Sequence, residues 1–275
     1  MDTAEHKRLK IGILGCGAIG SRIAEAVVHE LGDAAVVSGL YDQDGERSRA
    51  LADKLHSPQA VTLTLSELIQ RSDCIVEAVN TEQAPDLMRT VIDAGKHLLV
   101  MSVGRLLGAR DLFDLAAQNG SRLLIPSGAI AGIDAVQAAA QIGIRKLTLT
   151  TRKPVSGFKG VTYIEENIDL EKITGEVVLF EGGVEKAVQA FPRNINVAAT
   201  LALAATPRTP LLIRIITAPG ITQNSHEIVA EGEFGRIETR TTNVVCPDNP
   251  KTSYLAALSG IQALRNFCSG IRIGT

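Results

Sequence analysis

KIGILGCGAIG, residues Lys10–Gly20, joins a short apolar strand pattern to three glycines, Gly15, Gly17 and Gly20, in G-x-G-x-x-G spacing. Each glycine has a separate use. Gly15 permits a tight turn from strand to helix, Gly17 lets a pyrophosphate approach the backbone with no Cβ in the way, and Gly20 lets the following helix sit close on the strand. That helix, expected over Ser21–Leu31, directs its N-terminal N–H groups at phosphate. Ala18 and Ile19, between the glycines, join them as candidate contacts. A second apolar run, Ala34–Tyr41, ends at Asp42. This is close to the ~20-residue spacing at which a carboxylate accepts a ribose 2′-OH. Together these features predict a dinucleotide site. NAD is expected ahead of NADP, because Asp42 repels a 2′-phosphate. Arg47 and Arg49, just beyond, could attract one, so NADP stays open.

The rest of the chain narrows the class. Its 275 residues suffice for one large domain or two modest ones. A formal net charge of −2, dispersed lysines and arginines, and the absence of tryptophan give nucleic-acid binding no support. No apolar run reaches the ~18 residues of a membrane span. The start, MDTAEHKRLK, has no secretory h-region. Cys16, Cys74, Cys246 and Cys268 lie far apart and read as reduced thiols. A cytoplasmic protein is expected. No H-E-x-x-H or Cys/His cluster suggests a metal, and there is no G-x-S-x-G or G-x-x-x-x-G-K-[ST] loop.

Along the first half, strand and helix patterns alternate. Helices are expected over Asp44–Leu55, Leu65–Arg71 (capped by Thr64 or Ser66), Gln83–Ala94 and Ala109–Asn119. Strands are expected over Ala60–Leu63, Cys74–Ala78, His97–Met101 and Arg122–Ile125. Such alternation predicts a doubly wound parallel sheet covered on both faces. The character changes after Pro126. Ala129–Gly143 reads as an alanine-rich helix. Lys146–Arg152, Glu176–Phe180, Leu211–Thr217, Ser225–Glu231 and Arg236–Val245 read as strands, the last two as a hairpin. A second α/β domain with a mostly antiparallel sheet follows. Asn194–Ala205 reads as a small-residue helix, and a closing helix is expected from about Thr252 to Cys268. The boundaries expected are 1–127, 128–248, and a C-terminal segment 249–275 packing back on the first domain.

Four segments could carry chemistry. Ser127-Gly128-Ala129 stands at the junction of the two domains, beyond a strand end where open α/β sheets gather ligands, although a plain turn fits equally. In FPRNINV (Phe191–Val197) Asn194 is a good N-cap and Asn196 lies in the first helical turn. Their amides could bond a carboxamide or carboxylate, or simply cap the helix. In Asn224–Ile228, His226 is the sole histidine of the second domain, able to trade a proton near neutral pH or to serve structurally. Thr151-Arg152-Lys153-Pro154, with Lys251, supplies cations that could bind carboxylates or face solvent.

Taken together, the chain resembles the L-aspartate dehydrogenase family. The stretches that carry the resemblance are GILGCGAIG (Gly12–Gly20), SVG (Ser102–Gly104), IPSGAIAGIDA (Ile125–Ala135), TRKP (Thr151–Pro154), FPRNINVAATLALA (Phe191–Ala204), HEI (His226–Ile228) and NPKTSYLAALSGIQALR (Asn249–Arg265). Arg105 stands where a small residue is expected after Ser-Val-Gly, and Asn80 where a serine-like one is expected. The resemblance implies a Rossmann domain followed by a substrate and dimerisation domain, with a homodimer formed on the second sheet. The apolar strand 211–217 fits burial there or in a core. It implies His226 as the active-site residue, and Ala129 with Asn194 or Asn196 as dinucleotide contacts. Ser127, Arg152, Lys153 and Lys251 become candidates for binding substrate. The activity implied is NAD(P)-dependent oxidation of L-aspartate to iminosuccinate, feeding NAD biosynthesis. The alternatives are a related dehydrogenase of another small amino or hydroxy acid, and a non-catalytic NAD(H)-binding sensor.

Overall fold

The computed structural model describes residues 8–192, 195–207, 209–246 and 249–274. The chain divides into two compact units. The first runs to Pro126 and takes in Ala257–Arg272; the second is Ser127–Ala256, to which the tail from Ile273 is also assigned.

The first unit is built on β1 (Leu9–Leu14), β2 (Ala35–Tyr41), β3 (Cys74–Glu77), β4 (His97–Val100) and β5 (Leu123–Leu124). They form one parallel sheet in the order β2-β1-β3-β4-β5. Its strands are apolar on both faces, as a sheet covered on both sides requires. Ile11, Ile13, Cys74, Ile75, Val76, Leu98 and Leu99 are all fully buried. The helices are α1 (Ala18–His29), α2 (Gly45–Leu55), α3 (Leu65–Arg71), α4 (Ala84–Asp93) and α5 (Asp111–Gln118). Asp44 caps α2 by accepting from the Glu46 N–H. Thr64 opens α3 in a reciprocal capping box with Glu67. Pro85 stands in the first turn of α4, where its missing N–H costs nothing.

One expected strand is absent. Ala60–Leu63 makes only an isolated bridge, Leu40 with Thr62, through the Leu40 N–H to Val61 O and the Leu63 N–H to Leu40 O. Thr64 begins α3 at once and leaves no chain to extend the pairing.

The second unit holds α6 (Ile133–Ala139), β6 (Ile144–Arg152), α7 (Thr162–Asn167), β7 (Val177–Gly182), α8 (Val184–Ala190), α9 (Asn196–Ala204), β8 (Leu211–Thr217), β9 (Asn224–Gly232) and β10 (Gly235–Asn243). Its five-stranded sheet has the order β10-β9-β6-β8-β7. The β6–β8 pair is parallel and the other pairs are antiparallel. Leu147, Leu149, Ile213, Ile215, Ile228 and Ala230 share a core with Val136, Leu201, Phe180 and Phe191. So most of the apolar strand 211–217 faces the core, with Leu212 exposed.

The helix expected over Ala129–Gly143 is shorter, confined to α6. Gly132 stands at φ +82°, and a Cβ there would come within 2.7 Å of Thr239. The Ala129 and Ala131 carbonyls accept from β10 side chains instead of helical N–H groups. α7 and α8 carry no side-chain cap, which is why no start signal marks them in the sequence. The hairpin of β11 (Val245–Cys246) and β12 (Asn249–Ser253) likewise occupies a stretch with no clear strand pattern.

α10 (Tyr254–Ser269) closes the chain. Its Ile261 and Leu264 join the core of the first unit. Gly260 permits the close approach: a Cβ there would meet Met101 Sδ at 2.8 Å and Ile23 at 3.1 Å. Phe267 stacks edge-on against His97 and lies under the Arg122 guanidinium.

Candidate active site

The glycine loop of the first unit has the geometry its sequence predicts. Gly15 stands at φ +100°, and a Cβ would press on the Ala78 carbonyl at 2.7 Å. At Gly20 a Cβ would lie 1.9 Å from the Gly15 carbonyl oxygen, so any side chain there drives α1 off β1. Gly17 is the N-cap of α1, and a Cβ there would meet nothing of the protein within 4 Å. No packing reason excludes a side chain at Gly17; the backbone is bare toward whatever approaches the helix end. No side chain caps α1 and no acidic residue lies in its first turn. The N–H groups of this turn, which includes Ala18 and Ile19, therefore keep their partial positive charge. This is a cradle fit for a pyrophosphate.

Asp42 is locked to that loop. Its Oδ2 accepts the Cys16 N–H at 2.7 Å and its Oδ1 the Asp44 N–H at 2.9 Å. Burial, with Asp42 beside it, pushes the Cys16 thiol up to about 12, so the thiol stays protonated. Arg47 is ion-paired with Asp44 at 3.3 Å.

In the second unit the chemistry gathers at one end of the sheet. His226 on β9 is 5 % exposed. It stands opposite Thr151 of β6 on one side and Thr241 of β10 on the other. Thr151 Oγ1 is 3.0 Å from His226 Nδ1. Burial, with the nearby Lys153 charge, lowers the imidazole to about 3 and keeps it neutral. Burial alone lowers Lys153 to about 8. Thr241 Oγ1 donates to the Ala129 carbonyl at 2.8 Å and Asn243 Nδ2 to the same oxygen at 3.1 Å. The Ser127–Ala129 turn, with Gly128 at φ +67°, is thus tied to the strand beside His226.

Arg152 is separated from this group. It pairs in register with Ser225 and Ile216. Alternation along the strand puts it on the face opposite Thr151 and His226. There it lies 3.9 Å from both Glu176 and Glu227. Asn196 is the first residue of α9 and is exposed, with Ile195 in the N-cap position. Asn194 lies outside the described residues, as does the side chain of Lys251. Thr241 and Asn243 carried no signal in the sequence, and Thr151 entered only as part of TRKP, because their contacts depend on cross-strand register.

Among the described residues no group of three or more His, Cys, Asp or Glu could hold a metal ion, and no helix is long and apolar enough to cross a membrane.

Residues 15–126 match the family described as homoserine dehydrogenase, NAD binding domain, and residues 134–267 match aspartate dehydrogenase, C-terminal. The L-aspartate dehydrogenase of Methanosarcina barkeri is 41% identical over 271 residues, 97% of this chain and 100% of that protein. That of Methanococcoides burtonii is 40% identical over 272 residues, with the same coverage. The crystal structure of aspartate dehydrogenase from Thermotoga maritima shares the fold with a TM-score of 0.72 at 22% identity, covering 97% of this chain and 100% of its own. A glycine cradle with a carboxylate at the second strand, a buried histidine on the second sheet, and relatives matched end to end lead to one assignment: the chain belongs to the L-aspartate dehydrogenase family.

Proposed function

We propose that this chain dehydrogenates L-aspartate to iminosuccinate with NAD(P)⁺. In water the imine hydrolyses to oxaloacetate and ammonia; kept intact, it could feed NAD synthesis. The observation that carries this reading is the buried His226–Thr151 pair with Lys153 beside it, in a chain that L-aspartate dehydrogenases match over 97% of its length.

Gly15, Gly17, Ala18, Ile19 and Gly20 would hold the pyrophosphate and Asp42 the adenosine ribose. Ala129, Asn194 and Asn196 complete the coenzyme contacts. NAD(P)⁺, when bound, supplies the hydride acceptor. The chain's residues supply the remainder. The nitrogen lone pair of the substrate must be free for its Cα to give up hydride, so the ammonium must lose a proton. His226 is neutral in the bare site. With Nδ1 held by Thr151, its Nε2 is the atom left for substrate. The two carboxylates of L-aspartate bring negative charge, which raises the proton affinity of His226 and Lys153 together. Each thereby becomes competent when substrate arrives: the imidazole as proton acceptor, the ammonium of Lys153 as partner of one carboxylate. Ser127 and Lys251 are the further candidates for the carboxylates. Arg152, on the other face and near two glutamates, is better suited to holding β6 and β9 together.

The open face of the second sheet exposes Val178 and Leu212, and we assign it to a homodimer. The expected location is the cytoplasm.

The deciding experiment is an oxidation screen at 340 nm with L-aspartate, homoserine, alanine and malate, each with NAD⁺ and with NADP⁺. L-aspartate-dependent reduction, with NAD⁺ the better acceptor, is the expected result. Turnover of another acid in its place would reassign the substrate.

A further inference from the structure

Among the described residues, the glycine cradle and the His226 group leave one buried acid unused. Glu77 ends β3 and is fully buried. Its Oε1 accepts the Val79 N–H at 2.9 Å. Its Oε2 accepts the Ser102 hydroxyl at 2.8 Å and the Ser102 N–H at 3.2 Å. These donors, joined by the Met101 N–H, converge on the carboxylate, the pattern that stabilises a carboxylate over an acid. Yet among the described residues no cation pairs with it. Burial pushes its pKa up against these donors, and no positive charge is among the causes that lower it. Buried charges are ordinarily paired, because an unpaired one costs several kcal/mol.

The topology says where a countercharge can come from. The sheet order is β2-β1-β3-β4-β5. Asp42 follows β2, and the phosphate cradle follows β1. A dinucleotide with its adenosine ribose at Asp42 must run its other half toward the ends of β3 and β4, where Glu77 and Ser102 stand. That half is a cationic ring when oxidised and a neutral one when reduced.

We propose that Glu77 is an electrostatic partner of the oxidised nicotinamide, so that the site favours NAD⁺ over NADH by charge. The inference rests on coenzyme binding at Gly15–Gly20 but is independent of the role given to His226. Direct contact is not required. At an effective dielectric of ~20, a tenfold effect of one unit charge on another persists out to about 12 Å. Charge selection of this kind changes the relative affinity for the two redox forms. Simple loop support would change both alike.

The test measures dissociation constants for NAD⁺, NADH and ADP-ribose with the wild-type protein, Glu77→Gln and Ser102→Ala, using calorimetry and NADH fluorescence. In Glu77→Gln, NAD⁺ binding should weaken about tenfold more than NADH binding, while ADP-ribose, which lacks the ring, stays within about twofold. Ser102→Ala removes one donor and should move the NAD⁺/NADH ratio about threefold in the same direction. Circular dichroism and thermal melting report folding. A folded Glu77→Gln whose NAD⁺ and NADH constants move together, or not at all, overturns the proposal. So does an equal loss of ADP-ribose, which would make Glu77 a scaffold residue only. If Glu77→Gln does not fold, Ser102→Ala decides, and an unchanged ratio there overturns it. Failure of the wild type to bind ADP-ribose would instead remove the coenzyme site itself, a distinct outcome that takes this inference with it.

Discussion

His226 and Lys153 show how burial shifts the proton affinity of neighbouring groups. Neither has its ordinary proton affinity, and desolvation is the chief cause for both. In the bare protein a neutral imidazole and a weakened ammonium avoid two adjacent buried cations. On the proposed reading, a bound dicarboxylate would reverse the balance. His226→Ala is expected to lower kcat by about 10²–10⁴-fold, the usual worth of a positioned acid or base. NADH affinity should change far less, because His226 is not among the coenzyme contacts proposed. Near-normal turnover in a folded variant would remove the histidine from the chemistry. Lys153 gives a pH signature. Below about 8 it is a cation and above it is neutral. Inhibition by succinate, a dicarboxylate without the amine, should therefore weaken as pH rises through about 8, approaching tenfold per unit well above it. Lys153→Met should bind succinate poorly at every pH from 7 to 9, with no break in the profile.

Each element is shaped by a few local decisions. α1 begins at a glycine with no side-chain cap, so its first-turn N–H groups remain for a ligand. α3, by contrast, spends Thr64 and Glu67 on closing its own end. β10 turns three of its side chains, Thr239, Thr241 and Asn243, to carbonyls of the 129–131 turn. This holds an irregular segment that the alanine-rich sequence would otherwise wind into helix. α10 shows the same economy in packing. Gly260 brings the helix against Ile23 and Met101, and Leu264, fully buried, anchors it. Leu264→Ala should cost about 2–5 kcal/mol by urea denaturation, as a large-to-small change in a core does. Leu258→Ala, at a residue 37% exposed on the same helix, should cost under about 1 kcal/mol. Equal losses at the two positions would mean that the buried face of α10 is misassigned.

Across the whole molecule the two units divide the labour. The first provides the coenzyme cradle, while the second gathers the imidazole and the lysine. The homodimer assigned to the second sheet predicts about twice the monomer mass by sedimentation, and a Leu212→Glu chain that sediments as a monomer. A wild-type monomer at micromolar concentration would discard that assignment. The glycine loop, Asp42, the parallel alternation of the first half and the period-two strands of the second were all readable in one dimension. Backbone freedom, burial period and turn chemistry act between near neighbours, and these neighbours are adjacent in the chain. His226 stood out as the sole histidine of its half, and the family resemblance marked it. Its partner Thr151, the carbonyl ties of Thr241 and Asn243, and the Glu77–Ser102 contact were not readable. The choice between Arg152 and Lys153 was hidden for the same reason. Adjacent residues on a strand point to opposite faces, and a slip of one residue in pairing exchanges them. Which cation faces the histidine is therefore set by the register of β6 against β9, at a sequence separation of 75 between Thr151 and His226. Local propensities constrain each strand alone. Packing against a common core holds two strands in one register, and that register brings Thr151 to His226.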